Sequence, residues 1–348
     1  MICGPIWRAL LLLAALSPAI GRAQPAPPLA VVDPDTYLRP AQMVAVDGSR
    51  RLNLICMGKG SPTVVLESGA GDGAGAWWKV QAEVAKLTRV CAYDRAGYGM
   101  SDPITRPVDA DRVVADLRRL LRRAGVGGRI VLVGHSLGGL YAELYAGRHA
   151  RQVAGMVLVD PAGLDDFRLV RTVITAEERA SQREAFLKRT ESYARCLDLA
   201  ARGEAAVSQR GECAPAPTGV AVLDQEQQRR FAKPKYWAAY KSEMASFWPS
   251  NHPDGVDSII TRQVRSRPLR LGDKPLIILR TPGRVPPGER GERLRTASLA
   301  VDQKLALAST RGRLELVTSG HYVQVERPEL VIGAIREVVD AVRGQPSH

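Results

Sequence analysis

Ser136 lies in Gly134-His135-Ser136-Leu137-Gly138-Gly139, directly after the apolar run Arg129-Ile-Val-Leu-Val133 and directly before a helix-forming stretch. A Gly-x-Ser-x-Gly pattern alone is a weak signal, and its place at a strand-to-helix reversal is what makes it informative. A reversal this tight strains the serine backbone, calls for glycine where side chains would collide, and pushes the hydroxyl out above the sheet. The helix that follows turns its partially positive N-terminus toward that hydroxyl. Ser136 is therefore the expected nucleophile.

A serine hydroxyl needs a general base. Of the five histidines, His135 sits inside the turn, His149 at a helix end, His252 in a polar stretch and His348 at the terminus. His321, in Ser319-Gly320-His321, follows the last expected strand, on the sheet edge where catalytic groups of parallel sheets gather. It is the expected base. A tetrahedral intermediate also needs two donors for its oxyanion. One is the amide of Leu137. The other is expected from Ser68-Gly69-Ala70-Gly71, after the strand Thr63-Val-Val-Leu-Glu67, with Ala70 preferred and Gly71 next.

These groups need a frame to hold them. Met43 to Val46 and Leu52 to Met57 read as two edge strands around Asp47-Gly48, and Thr63 to Glu67 as the first buried strand. Further strands are expected over 89–93, 129–133, 155–159, 275–279 and 313–317. Helices are expected over 77–87, 109–124, 137–148, 293–309 and 328–342; in the second of these Val113, Val114, Leu117, Leu120 and Leu121 share one face. Between Ala162 and about Arg270 the strands stop and the chain turns polar, helical and proline-broken. A parallel sheet interrupted by a helical insertion is the outcome.

The 348 residues are 45% hydrophobic and 24% charged, which excludes a disordered or fibrous chain. The formal charge of +13 is almost all arginine and is spread along the chain. Nucleic-acid binding would call for a clustered basic stripe with interleaved aromatics, and aromatics are only 5%. The charge is read as solubility plus attraction to anionic surfaces such as lipid headgroups.

At the N-terminus, Arg8, the apolar run Ala9 to Ile20 and Gly21-Arg22-Ala23 read as a secretory signal over 1–23, followed by a linker over 24–40. The alternative is an uncleaved anchor, against which the apolar run falls short of the ~18–20 residues needed to span a bilayer. Cleavage near Ala23 would give a periplasmic or secreted chain. No metal-ligand spacing is present. Four cysteines remain after cleavage, an even number compatible with two disulfides in an exported chain.

The chain resembles the α/β-hydrolase superfamily at Glu67-Ser-Gly-Ala-Gly71, at Tyr93-Asp-Arg-Ala-Gly-Tyr-Gly-Met-Ser-Asp102, and at the turn Gly134 to Gly139. Val159-Asp-Pro161, Ser319-Gly-His321 and Arg327-Pro-Glu329 complete the set, in the family's order, over about residues 42 to 343. The resemblance implies an α/β fold with an eight-stranded, mostly parallel sheet, helices on both faces and no cofactor. It also implies a helical cap after the sixth strand. The core would then comprise residues 41–162 and 271–344, with the cap over 163–270. The family's usual His-Gly at the first oxyanion loop is Ser68-Gly69 here, and the Tyr93 to Asp102 segment is a supporting loop.

Many relatives place the acid that orients the histidine just past the strand equivalent to Pro275 to Leu279. That loop here reads Arg280-Thr-Pro-Gly-Arg284, without an acid. Asp160 ends the preceding strand and is the preferred candidate, with Glu289 and then Glu292 behind it; the alternative for Asp160 is to cap the turn before Pro161.

Members that cleave carbon–halogen bonds or epoxides carry a carboxylate at the elbow, whereas this chain carries Ser136. The expected reaction is acyl transfer to water from a small-molecule acyl substrate, foremost an ester. Amide and carbon–carbon hydrolysis are alternatives within the class, and a non-catalytic ligand binder is the alternative outside it. Trp237, Tyr240, Phe247 and Trp248 either line an apolar acyl pocket or pack the insertion onto the core. Cys196 and Cys213 are expected to close a short loop in the insertion, while Cys56 and Cys91, on strands that would be neighbours in this fold, either pair or remain buried thiols.

Overall fold

The computed structural model describes residues 28–344 apart from 166–167, 169–171, 204–212, 215–220, 249–256 and 284–286. The leader expected over 1–23, His252 and His348 lie outside the described residues. Strands β1 (Gln42–Asp47) and β2 (Arg50–Met57) form a hairpin, followed by β3 (Thr63–Glu67), α1 (Trp78–Leu87), β4 (Val90–Tyr93) and α2 (Ala110–Arg123). Next come β5 (Ile130–His135), α3 (Leu137–Arg148) and β6 (Val153–Val159). The insertion that follows includes α4 (Ala176–Ala201), α5 (Ala221–Phe231), α6 (Pro234–Phe247) and α7 (Ile259–Arg265) among the described residues. The alternation resumes with β7 (Leu276–Arg280), α8 (Glu289–Ala306), β8 (Gly312–Leu316), α9 (Val323–Glu326) and α10 (Pro328–Arg343).

The sheet has eight strands in the order β1-β2-β4-β3-β5-β6-β7-β8. Pairings β1–β2 and β2–β4 are antiparallel, and the rest are parallel. Only β1 of the N-terminal hairpin is an edge; β2 is interior, which corrects the expectation of two edge strands. Its hairpin partner covers one side and β4 the other, with Cys56 opposite Cys91.

Continuous apolar runs mark strands covered on both faces. Val65, Leu132, Met156, Leu158 and Ile278 pack toward α2 and α3. Their neighbours Val64, Leu66, Val131, Val133, Val157 and Ile277 pack toward α1 and α10. Alternation along each strand thus builds two cores, each fully buried side chain contributing about 1.5–3 kcal/mol. Helix α2 starts where the Asp109 carboxylate accepts from the Arg112 amide at 2.9 Å and ends before Gly125, at φ +67°.

Because α1 lies on one face and α3 on the other, the chain leaves β3 and β5 in opposite directions. A crevice opens at their C-terminal ends, where ligands bind in open α/β sheets.

Helix α4 begins with a capping box between Thr175 and Glu178. The inserted helices have a small core of their own, in which Tyr193, Cys196, Leu199, Cys213, Tyr236 and Trp237 gather with Tyr98. Tyr240 packs against this cluster and Phe247 against the core below, while Trp248 stacks on Phe186 at 5.1 Å. Disulfides join Cys196 to Cys213 and Cys56 to Cys91. Within the stretch expected as a linker, residues 34–37 form a 3-10 turn, and Val32 and Tyr37 are buried; Tyr37 Oη donates to Gln81 on α1 at 2.8 Å. Helix α8 starts at Glu289, four residues before the expected Arg293. Glu289 and Glu292 fall in its first turn, where acidic side chains favour a helix N-terminus.

Candidate active site

Two non-glycine residues among those described have positive φ, Ser136 at +52° and Asp160 at +41°. Such a conformation costs about 1–3 kcal/mol and persists only where the surroundings impose it. At Ser136 they do so through backbone bonds: its amide donates to Val159 O at 3.1 Å, and its carbonyl accepts from Gly139 at 2.9 Å and Ala162 at 3.0 Å. The glycines make the turn sterically possible. A Cβ on Gly134 would lie 2.7 Å from Gly138 O, and one on Gly138 would lie 2.5 Å from Ser68 O. Asp160 is fixed by its amide, which donates to Leu279 O at 2.7 Å on the neighbouring strand.

His321 reaches this point from the loop between β8 and α9. Its Nε2 lies 2.9 Å from Ser136 Oγ, and its Nδ1 lies 2.6 Å from Asp160 Oδ2. A carboxylate only accepts, so Nδ1 carries the proton, and the Nε2 lone pair accepts from the serine hydroxyl. The second oxygen of Asp160 accepts from the Thr281 amide and hydroxyl, both at 3.0 Å, and from Arg280 Nη1 at 3.2 Å. Burial pushes the Asp160 carboxyl upward, but His321, Arg280 and the Thr281 amide outweigh it and hold the group below the usual aspartate range. Arg280 is itself clamped by the buried Asp302, through Nε at 2.5 Å and Nη2 at 2.6 Å.

The structure brings Ser136, His321 and Asp160 together and leaves Glu289 and Glu292 apart. Those two are 86% and 68% exposed and pair with Arg293 and Arg295 on their own helix.

His135 is in turn bonded to the backbone of His321. Its Nε2 donates to the His321 carbonyl at 2.9 Å, so Nδ1 is the unprotonated nitrogen. Burial, with His321 close by, lowers its pKa to about 3, which keeps the ring neutral.

Leu137 opens α3 directly after the serine. Across the crevice, Gly69 lies so close that a Cβ there would stand 3.2 Å from Ser136 Cβ and 2.9 Å from His135 Nδ1. The loop after β3 is thus in contact with the serine. In it, the Gly71 amide donates to Glu243 Oε2 at 3.1 Å, which commits the second-choice oxyanion donor elsewhere and leaves Ala70 as the candidate. Arg95, from the segment read as support, donates to Glu67 Oε1 at 2.9 Å, to Ser68 O at 2.7 Å and to Gly69 O at 2.6 Å.

Sequence reasoning missed Thr281, Arg280, Asp302 and Glu243. Glu243 left a trace: it falls at helical spacing with Tyr236, Tyr240 and Phe247, a carboxylate within an otherwise aromatic stripe. The assembled arrangement can pass a proton from a hydroxyl to an imidazole whose opposite face is held by a carboxylate.

Comparison with known proteins places the chain. An uncharacterized protein C23C11.06c of Schizosaccharomyces pombe is 41% identical over 81 residues, 23% of this chain and 15% of that protein. The chain spans less than half the length of the first curated relatives it matches. A thermophilic esterase from Thermogutta terrifontis superposes with TM-score 0.55 at 21% identity, covering 86% of this chain and 97% of the esterase. The haloalkane dehalogenase DatA from Agrobacterium tumefaciens C58 gives TM-score 0.62 at 16% identity, over 88% and 99%. At such identities the likeness is one of fold. The sequence profile of the alpha/beta hydrolase family matches residues 64–334, from β3 into α10, and this chain therefore belongs to the alpha/beta hydrolase family.

Proposed function

We propose that this hydrolase-fold protein is a serine hydrolase that cleaves carboxylic esters through an acyl-enzyme. The observation that carries the reading is the run Ser136 Oγ, His321 Nε2, His321 Nδ1, Asp160 Oδ2, with separations of 2.9 and 2.6 Å across the ring. Ser136 Oγ attacks the carbonyl carbon as His321 takes its proton. Asp160 keeps the ring in the tautomer that can accept it and stabilises the imidazolium. The amides of Leu137 and Ala70 hold the oxyanion. Collapse expels the alcohol, protonated by His321, and a water activated by the same ring releases the acid.

The serine at the elbow sets this chemistry apart from that of the structurally similar dehalogenase, because the intermediate proposed here forms by acyl transfer. In this reading residues 163–270 act as a cap over the crevice, and residues 1–23 direct export. Two disulfides are compatible with an oxidising compartment. Among the described residues no helix is long and apolar enough to cross a membrane.

A panel of p-nitrophenyl and bulkier-alcohol esters, run with wild type and Ser136→Ala, tests the proposal. Turnover that Ser136→Ala abolishes supports it. A wild type that hydrolyses no ester or amide while a ligand raises its melting point would point to the non-catalytic binder.

A further inference from the structure

Resting on the serine-hydrolase reading, we propose that Glu243, on inserted helix α6, is a positioning residue that holds the oxyanion donors of the core in register. Its carboxylate is fully buried. Oε2 accepts from the Gly71 amide at 3.1 Å and from Tyr98 Oη at 2.8 Å; Oε1 accepts from Tyr141 Oη at 3.0 Å and lies 3.1 Å from Arg95 Nη2.

Two of these bonds define the role. Gly71 directly follows Ala70, and on the other side of Ala70 the Gly69 carbonyl is held by Arg95. The donor peptide is thus pinned at both ends, once by Glu243 and once by the guanidinium that Glu243 pairs with. Tyr141 is on α3, one helical turn after Leu137, so the same carboxylate also fixes the helix that carries the other donor. Left to itself, a loop reading Ser68-Gly69-Ala70-Gly71 samples many conformations, with Gly71 at φ +75°. Oxyanion donors must be held within about 0.5 Å to be effective. Stability alone does not call for this carboxylate, since well-packed apolar groups often replace a buried ion pair without loss.

The geometry makes Glu243→Gln a pointed test. An amide cannot accept on both sides: its NH2 must face either the Gly71 N–H or the Arg95 guanidinium, and neither can turn into an acceptor. Activity is read as kcat per serine titrated with a fluorophosphonate, which removes any unfolded fraction. Removal of one oxyanion donor costs about 100–1,000-fold, so loosening one is expected to lower kcat about 30-fold with KM within about threefold. A boronic acid that forms the tetrahedral adduct should weaken by the same factor.

Per-site kcat or boronic-acid affinity that stays within about threefold of wild type, even with a lower melting temperature, would make Glu243 structural only and overturn the proposal. If Glu243→Gln does not fold, Tyr141→Phe removes one hydrogen bond to the same carboxylate. It should lower kcat and boronic-acid affinity together by about threefold, and no change in either overturns the proposal equally. A wild type that the fluorophosphonate leaves unlabelled would instead remove the serine-hydrolase reading beneath it.

Discussion

Arg280 Nη1 lies 3.2 Å from Asp160 Oδ1, the carboxylate oxygen turned away from His321. With Thr281 it fixes the plane of the carboxylate, so that Oδ2 meets the imidazole edge-on. Asp160→Asn keeps the shape but presents an amide to Nδ1 or to Arg280. The variant should fold and lose about 1,000- to 10,000-fold in kcat through the wrong ring tautomer. Glu289→Gln and Glu292→Gln, at solvent, should stay within about twofold, as surface substitutions usually do. Steady-state kinetics of the three variants side by side decide between the sites, and a collapse confined to Glu289→Gln would move the acid to α8.

The same carboxylate makes stability depend on pH in a defined direction. Its pKa in the folded protein lies below the ordinary aspartate value, despite burial, because His321 and Arg280 favour the charged form. Its contribution is therefore complete above the unfolded value of about 3.9 and is lost as pH falls through the folded value. The stability gap between wild type and Asp160→Asn, measured by urea unfolding, should narrow as pH falls below about 4. A gap that widens between about pH 4 and 2 would reverse the sign.

Glycines in this chain should respond to alanine in opposite ways. A Cβ at Gly138 meets the backbone oxygens of Ser68 and Glu67 at 2.5 and 2.7 Å, groups that cannot move aside without shifting the loop after β3. Gly138→Ala is expected to cost about 1–3 kcal/mol and to lower kcat. At Gly333, exposed on α10, a Cβ meets nothing within 4 Å, so Gly333→Ala should stabilise by about 0.5–1 kcal/mol. Melting curves for both variants supply the comparison.

Much of this was legible in the sequence because it is local. The strand-turn-helix around Ser136 carries its glycines where a Cβ would strike backbone, and His321 follows the last strand within a few residues. Buried strands announced themselves as apolar runs. Less legible was whatever depends on two distant segments meeting. Glu243 is 172 residues from the Gly71 amide it anchors. Arg280 reads as an ordinary loop residue until Asp302 and Asp160 are seen on either side of it. The start of α8 is not legible, because Pro286, Pro287 and Gly288 read as loop, whereas Gly288, at φ +89°, directly precedes the helix.

The bridge between Cys196 and Cys213 closes a short loop, with a sequence separation of 17, beside the core of the inserted helices. Replacing both cysteines by serine should destabilise by about 3 kcal/mol in the chain-entropy estimate and lower the melting temperature. Peptide mapping without reductant should recover Cys196 linked to Cys213 and Cys56 linked to Cys91. Free Cys196 in the folded protein would contradict the first bridge.

The central claim is that Ser136 is a nucleophile activated by His321, and the most direct test is the site of covalent labelling by a fluorophosphonate. Intact mass should rise by one adduct, peptide mapping should place it on Ser136, and His321→Ala should slow the labelling by several orders of magnitude. Labelling that persists in Ser136→Ala, or that proceeds at the wild-type rate without His321, would contradict the account.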